Sequence, residues 1–426
     1  MNDENIRDDK NEISSVPETA GAETPGDTGA LGNPDDISRS DSHTGASGTG
    51  SPDNSPDTPQ PETADNSPGL RLPKYSLVLF AIAGLSILIY IAAVIYTPFA
   101  DFFSRYPGAW VRGALAYLTS WIPFSLAEYL LLFLPVIIFF AIRAAIKKYS
   151  DTWRDTAVYV GTLLSIASVF LSIFALGFGL GYHTTTLDKR LGLDRREVSV
   201  EELYYTALIL AGHVNEEAKN ITFRHQNFSV MPYSLEEMNE KLIKAYDRVC
   251  DKYDFIPRLK SRVKPVMLSE AMSYLHTTGV YTYFTGEANL NVNFPDYTLP
   301  YTAAHELVHQ RGIAREDEAN FVAFLVCIAS DDPYIRYSGY LNLYEFVSGS
   351  LYSADSDLYV ILMRRIDPTV RYEMSAYSEF FKKYKHSKAA KVSQAINDAY
   401  LKSQGTAGTK SYGMVTDLAV AYYRDN

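Results

Sequence analysis

The chain has 426 residues, 39 of them basic and 50 acidic, for a formal charge of −11. The charge is lopsided: residues 1–70 hold 15 acids and three bases, and the rest of the chain is nearly balanced. The folded part therefore lacks the basic excess of a nucleic-acid binder, and two cysteines, Cys250 and Cys327, exclude a disulfide scaffold or a cysteine-only metal module.

Residues 1–72 form an acidic stretch rich in Gly, Pro, Ser, Thr, Asp and Asn, with AspAsnSerPro repeated at 53–56 and 65–68. Such composition cannot bury enough apolar surface to offset chain entropy, which predicts a disordered tail. No apolar run follows Met1, so a cleaved signal peptide is not expected. The tail reads as a solvated spacer or as the docking segment for a cytoplasmic partner.

Three apolar stretches follow, over 75–96, 122–142 and 157–182. Each is long enough for a hydrocarbon core of ~30 Å, so the lipid bilayer is the first expected partner. Gly161, Ser165 and Ser168 recur at helical spacing in the third, and small residues let helices approach closely in lipid. That predicts three spans packed together. Glu128, early in the second, reads as an interfacial or capping acid, with an intramembrane functional role as the alternative. Arg143, Lys147, Lys148 and Arg154 crowd the second loop, whereas the longer first loop holds Arg105 and Arg112. The bias places the tail and second loop in the cytoplasm and residues 183–426 outside. Trp110 and Trp121 in the first loop fit a helix lying at the outer interface.

The outer domain reads as mostly helical. Helices are predicted over 201–217, from Ser234 to Tyr253, and near 316–330, 335–350, 354–365, 367–385, 389–403 and 412–424. Met238, Leu242, Ala245 and Val249 mark the inner stripe of the second. Residues 279–293 alternate and contain glycines, which predicts one or two strands with a bend. Within them, Thr285–Asn289 reads either as an edge strand that aligns a peptide through Gly286, Glu287 and Asn289, or as a structural hairpin.

The chemistry concentrates at His305-Glu306-Leu-Val-His309. Residues four apart share a helix face, so both imidazoles can reach one zinc ion, with Glu306 beside it as general base. Pro300 precedes the helix, Thr302 is a candidate cap, and Gly312 can end it in the left-handed conformation. Glu316 opens the next helical pattern and is the leading third ligand, with Glu318 as competitor. Asn320, four residues on from Glu316, is placed to steady a ligating histidine. Tyr412 or Tyr301 is a candidate donor to a developing oxyanion. His276, His386 and Cys327 read as structural.

His305–Asn320 resembles the zinc segment of gluzincin metallopeptidases, in which two helix histidines and a downstream Glu in a Glu-x-x-Ala-Asp/Asn setting hold the metal. The gap of seven positions from His309 to Glu316 is shorter than in the better-known members. Gly312 sits where metzincins place their turn glycine, but Arg315 occupies their third-ligand position. A broader resemblance runs through Pro123–Glu128, Gly279–Asn289, His305–Phe321 and Tyr400–Gly413. On these segments the chain resembles a bacterial membrane-protein family catalogued as domain of unknown function 3810, across roughly residues 75–425. The resemblance implies three spans followed by a zinc peptidase domain.

The expected protein is a mainly α membrane protein: three transmembrane helices, then a mostly helical, zincin-like α+β domain with a small strand region before the His-Glu-x-x-His helix. Its expected function is that of a membrane-anchored zinc metallopeptidase with one Zn²⁺ per chain, acting outside the membrane on a peptide or cell-envelope protein. Two other readings are a non-catalytic, zinc-stabilised sensor or scaffold, and hydrolysis of a non-peptide amide.

Overall fold

The structure is a computed structural model, which describes residues 71–148, 152–224 and 228–425. The acidic tail of residues 1–70 lies outside the described residues.

Helix α1 (Lys74–Ile95) leads into α2 (Thr97–Phe103), a π-turn over Ser104–Gly108 and α3 (Ala109–Ser120). The π-turn carries Pro107, whose missing N–H suits a wider turn. Next come α4 (Leu126–Lys148) and α5 (Trp153–Gly177). Among the described residues, α1, α4 and α5 are the helices long and apolar enough to cross a membrane. The second begins four residues later than the sequence suggests, because Ser125 caps it through the Glu128 N–H at 3.1 Å. The third starts earlier, where Thr152 accepts from the Asp155 N–H, and ends at Gly177.

Helices α1 and α5 pack through small side chains. Ser76, Ala83, Ser86 and Ala93 are buried on α1, and Ser165 and Ser172 on α5. A Cβ at Gly161 would come within 2.6 Å of Leu72. The hydroxyls of Ser86, Ser165 and Ser172 bond back to their own helices, as Ser86 Oγ does to the Ile82 carbonyl at 2.8 Å, so their polarity is satisfied in an apolar seam, whereas Ser76 Oγ is buried without a partner. Helix α4 does not join this pair, contrary to the expected three-helix packing. Apart from Pro135, its side chains from Leu130 to Phe140 are Leu, Phe, Val and Ile, and they are largely exposed. It offers no stripe of small residues for close approach. Tyr159 Oη does reach the Ala141 carbonyl at 2.8 Å.

A 3-10 turn over Gly179–His183 follows α5, then α6 (Leu187–Leu191), α7 (Val200–Ala218) and α8 (Leu235–Lys252). Ser199 and Glu202 form a reciprocal capping box on α7, and Ser234 caps α8. The α8 stripe of Met238, Leu242, Ala245 and Val249 is buried as its spacing predicts.

Three short strands make one sheet: β1 (Val263–Pro265), then, after α9 (Ser269–Ser273), β2 (Gly279–Thr282) and β3 (Glu287–Leu290). The order is β1-β3-β2, with β3 parallel to β1 (Val263 opposite Ala288) and antiparallel to β2 (Tyr281 opposite Ala288). The bend between β2 and β3 was legible; β1 was not. Beyond the sheet lie α10 (Leu299–Gln310), α11 (Glu316–Ile328), α12 (Pro333–Ala354), α13 (Ser356–Met363), α14 (Pro368–Lys382), α15 (Lys388–Ser403), a 3-10 turn over Gly408–Met414 and α16 (Val415–Asp425). Helix α10 is buried at every residue and α11 at every residue through Cys327. They form the centre of the region that follows the apolar helices, between the sheet on one side and α12 on the other.

The apolar helices and the region that follows them share buried joints. Glu287 of β3 accepts from the backbone N–H groups of Leu126 and Ala127, at 3.0 and 2.9 Å, and so caps α4. Lys264 of β1 pairs with Glu287 at 2.5 Å, and both side chains are buried. Glu128 accepts from the N–H groups of Met267 and Leu268 at 2.8 and 2.7 Å, which makes it a cap for the segment ahead of α9. Arg112 of α3 is buried and donates to the carbonyls of Gly177, Ser104 and Arg311, at 2.7, 2.8 and 3.2 Å. With no carboxylate beside it, burial pulls the guanidinium down to about 10.

Candidate metal centre

Helix α10 starts one residue before Pro300, whose fixed φ suits a first turn. Thr302 lies inside the helix rather than capping it; instead Ser338 Oγ accepts from the Tyr301 N–H at 3.1 Å. The helix ends as its sequence predicts, with Gly312 at φ +94°. A Cβ there would also collide with the Arg112 guanidinium. The chain then turns directly into α11, whose first residue is Glu316.

This tight turn brings His305, His309 and Glu316 together, with one donor atom of each within 4.8 Å of the others. Glu316 Oε2 lies 3.3 Å from Nε2 of both imidazoles. The oxygen is buried and has no hydrogen-bond partner, so these are convergent donors and not a saturated ion pair. The imidazole planes are perpendicular, with centroids 4.6 Å apart. A tetrahedral site with bonds of ~2.1 Å has corners ~3.4 Å apart. Both carboxylate–imidazole separations match that edge, so this group could hold a metal ion. Glu318, the competing ligand, faces away: its carboxylate accepts from the Leu187 N–H at 3.0 Å and from Arg315 at 2.9 Å.

His309 Nδ1 donates to the Ile313 carbonyl at 2.9 Å, which leaves Nε2 as the free lone pair. His305 Nδ1 is buried with no partner. Asn320 steadies neither histidine. It donates to the Tyr412 carbonyl at 3.3 Å, because the chain from the 3-10 turn packs over α11 at that point. Burial opposes a charge on His309, but Glu316 outweighs it and lifts the imidazole to about 9. Burial likewise opposes the Glu316 charge, and the two imidazoles overcome it to hold the carboxyl down to about 2. A carboxylate this stable and this poorly hydrogen-bonded is a group that a cation would satisfy.

Glu306 lies beside these three groups and against β2. A Cβ at Gly279 would come within 2.5 Å of its Oε1, so only glycine leaves room for the carboxylate. The Tyr281 backbone N–H bonds to Glu306 and favours its charge, but burial wins and raises its pKa. The strand that borders the site is therefore β2. The assignment of Gly286, Glu287 and Asn289 to a peptide-aligning edge is corrected: β3 is paired on both sides and has no free edge. Gly286 has φ +70° and packs its backbone against Leu115 and Ala116 of α3. Glu287 is consumed by Lys264 and α4. Asn289 donates to Thr282 Oγ1 at 2.7 Å inside the sheet. The structural-hairpin alternative describes these residues.

Tyr412 stands near the site. Burial and the neighbouring Glu316 carboxylate push its hydroxyl far above the ordinary value, so it stays protonated. Tyr301 does not reach the centre; its hydroxyl donates to the Asn320 carbonyl at 3.0 Å. Cys327 is buried against Gly339, and His276 Nε2 bonds the Tyr384 carbonyl. Both are structural, as expected.

The sequence reading missed an aromatic wall. Phe178, one residue past α5, packs edge-on to the His309 ring at 5.8 Å and against Tyr281 at 5.4 Å. Tyr182 stands edge-on to Phe178 at 5.8 Å and to Tyr400 of α15 at 6.2 Å. These contacts are remote in sequence and no local pattern announces them. Gly279 did carry a usable signal, since a strand glycine marks close backbone approach.

No curated protein and no solved structure matches the chain significantly. One family model does, described as "Protein of unknown function (DUF3810)", over residues 103–420. The match takes in α3, the second and third apolar helices and the whole metal centre, though not α1. The chain belongs to the DUF3810 family.

Proposed function

We propose that this protein is a membrane-anchored zinc metallopeptidase with a zincin-like site, hydrolysing a peptide or cell-envelope protein on the outer side of the membrane. One observation carries the reading: His305, His309 and Glu316 converge on a point beside Glu306, and Glu306 faces the free edge of β2. A structural metal site has no need of a carboxylate aimed at the outer edge of a sheet.

Zinc bound by these three residues would polarise the scissile carbonyl and acidify a water. The chain supplies the rest. Glu306 takes a proton from the attacking water and returns it to the departing amine. The backbone of β2 aligns an extended peptide by strand addition, a role that falls to Gly279–Thr282 and not to β3. The protonated Tyr412 hydroxyl is the candidate donor to the developing oxyanion. The loop-charge bias toward residues 143–154 supports an outward-facing domain.

The test is metal content and turnover of the full chain purified in detergent. Wild type should hold one zinc per chain and His305→Ala none. Glu306→Gln should keep zinc and lose hydrolysis of a mixed peptide pool. A correctly folded wild type without zinc overturns the reading. Glu306→Gln with unchanged biological activity would favour the sensor or scaffold alternative.

A further inference from the structure

The position of the site relative to the apolar helices narrows the substrate class. His309 touches Phe178, the first residue after α5. If the hydrocarbon core of ~30 Å begins near Ala157, about 20 residues at ~1.5 Å each bring its far boundary to about Gly177. The metal centre thus sits at that boundary, with no stalk between them.

The edge strand goes further. Its turn carries Tyr283 and Phe284, which pack edge-on against Phe174 and Phe170 of α5, at 5.3 and 5.6 Å. Phe170 lies about 10 Å inside the end of α5, at ~1.5 Å per residue. Strand β2 therefore runs from Gly279 beside Glu306 down toward the bilayer. The turn tolerates this depth because its backbone is satisfied: the N–H groups of Thr285 and Gly286 bond the Thr282 carbonyl at 3.2 and 2.8 Å, and Gln310 bonds the Gly286 carbonyl at 2.7 Å.

A second observation concerns the surface around β2. Val280 on the strand is exposed, as are Met267, Leu268 and Leu275 nearby. Glu128, in the first turn of α4, holds the backbone of Met267 and Leu268. Met267 and Leu268 are thus tied to the end of a second apolar helix. A soluble, polar substrate has no use for exposed apolar side chains here, whereas an amphiphilic one finds apolar contact beside the site.

We propose that the substrate is a membrane-tethered polypeptide, held by an apolar anchor within a few residues of the bond to be cut. The proposal rests on the peptidase reading. A strand laid along β2 has one end at the Glu306 carboxylate and the other entering the lipid. At ~3.3 Å per residue, a descent of about 10 Å takes roughly three residues, which sets the spacing between scissile bond and anchor.

The test uses the full chain in phosphatidylethanolamine–phosphatidylglycerol vesicles loaded with zinc. One quenched mixed-sequence peptide pool is offered in three forms: free, palmitoylated, and fused to a single polyleucine span. An anchored form should be cleaved at least tenfold faster than the free form, and the preferred form identifies the anchor. The cuts, mapped by mass spectrometry, should stay within about six residues of the anchor when a Gly-Ser spacer is lengthened. Equal rates on free and anchored forms, or cuts that follow the spacer outward, overturn the proposal. No cleavage of any form overturns the peptidase reading, and this inference with it. A readout independent of turnover is a spin label on Val280→Cys. It should be more accessible to membrane-dissolved oxygen than to an aqueous nickel chelate, and the reverse result also overturns the proposal.

Discussion

Replacing Glu287 by Gln should cripple the fold while leaving the three metal donors untouched. In the native protein the Glu287 carboxylate is buried and accepts from Lys264 at 2.5 Å and from the first two N–H groups of α4 at 3.0 and 2.9 Å. The amide of Glu287→Gln keeps one acceptor oxygen for those N–H groups. It strands the Lys264 ammonium in the interior with the Thr119 carbonyl, 2.8 Å away, as its remaining partner. Breaking a buried pair from one side destabilises by about 3–5 kcal/mol. For a domain of this size that lowers the unfolding midpoint by roughly 10 °C. Lys264→Met should cost less, because the carboxylate keeps two helix N-terminal donors. The double variant should recover stability relative to Glu287→Gln alone, since no uncompensated charge remains. Thermal unfolding of the full chain in detergent measures all three. If Glu287→Gln unfolds within about 1 kcal/mol of wild type, or the double variant is less stable than Glu287→Gln, the reasoning fails. A folded Glu287→Gln with weakened peptide binding would reinstate Glu287 as a substrate residue.

Other outcomes follow from the same geometry. Glu316→Ala should lose the metal, as His309→Ala should, whereas Glu318→Ala should keep it and be less stable; metal analysis and thermal unfolding separate the two effects. Asn320→Ala should retain full metal occupancy by the same analysis, because its side chain holds the Tyr412 carbonyl and not a histidine. Gly279→Ala should abolish peptide hydrolysis with zinc still bound, since the added Cβ meets the Glu306 carboxylate. Glu345 gives a pH signature. Burial, with Glu373 nearby, raises its carboxyl from an ordinary 4.5 to about 8, against the pull of the Tyr297 hydroxyl. The folded state therefore holds a proton that the unfolded state releases, and stability should fall as pH rises from about 4.5 to about 8, by at most ~1.4 kcal/mol per unit, then level off. Glu345→Gln should flatten that fall in unfolding curves taken between pH 5 and 8.

What was legible in the sequence was whatever depends on near neighbours. His305 and His309 share a face by spacing alone, Gly312 announces its own turn, and Glu316 follows so closely that the turn leaves it few other places to go. The long helices were equally plain from their periodicity and caps. Partnerships between distant segments were not. Strand β1 is three residues long and ends in Pro265, too short to show alternation, yet its pairing turns β3 from an edge into the centre of the sheet. That one contact moves the candidate peptide-binding edge from Thr285–Asn289 to Gly279–Thr282. Asn320 sits at the right spacing to serve a histidine, and only the distant Tyr412 carbonyl diverts it. Similarly, α4 is about as hydrophobic as its neighbours, but its middle stretch from Leu130 to Phe140 carries no small residue for close approach, and it stays out of the α1–α5 seam.

The Arg112 joint bears on when the site can come into being. The guanidinium braces the end of α5 and the carbonyl just after α10, and Phe178 backs His309. All of these supports precede the ligand helix in the chain, so during synthesis they leave the ribosome before His305 does. The ligand helix then folds onto a platform already laid down by the apolar helices. Residues 183–426 alone lack Arg112, Phe178 and the α4 end that Glu287 caps. Any metal uptake at this centre would thereby depend on prior insertion, and a chain stranded in the cytosol would lack the platform that shapes the centre.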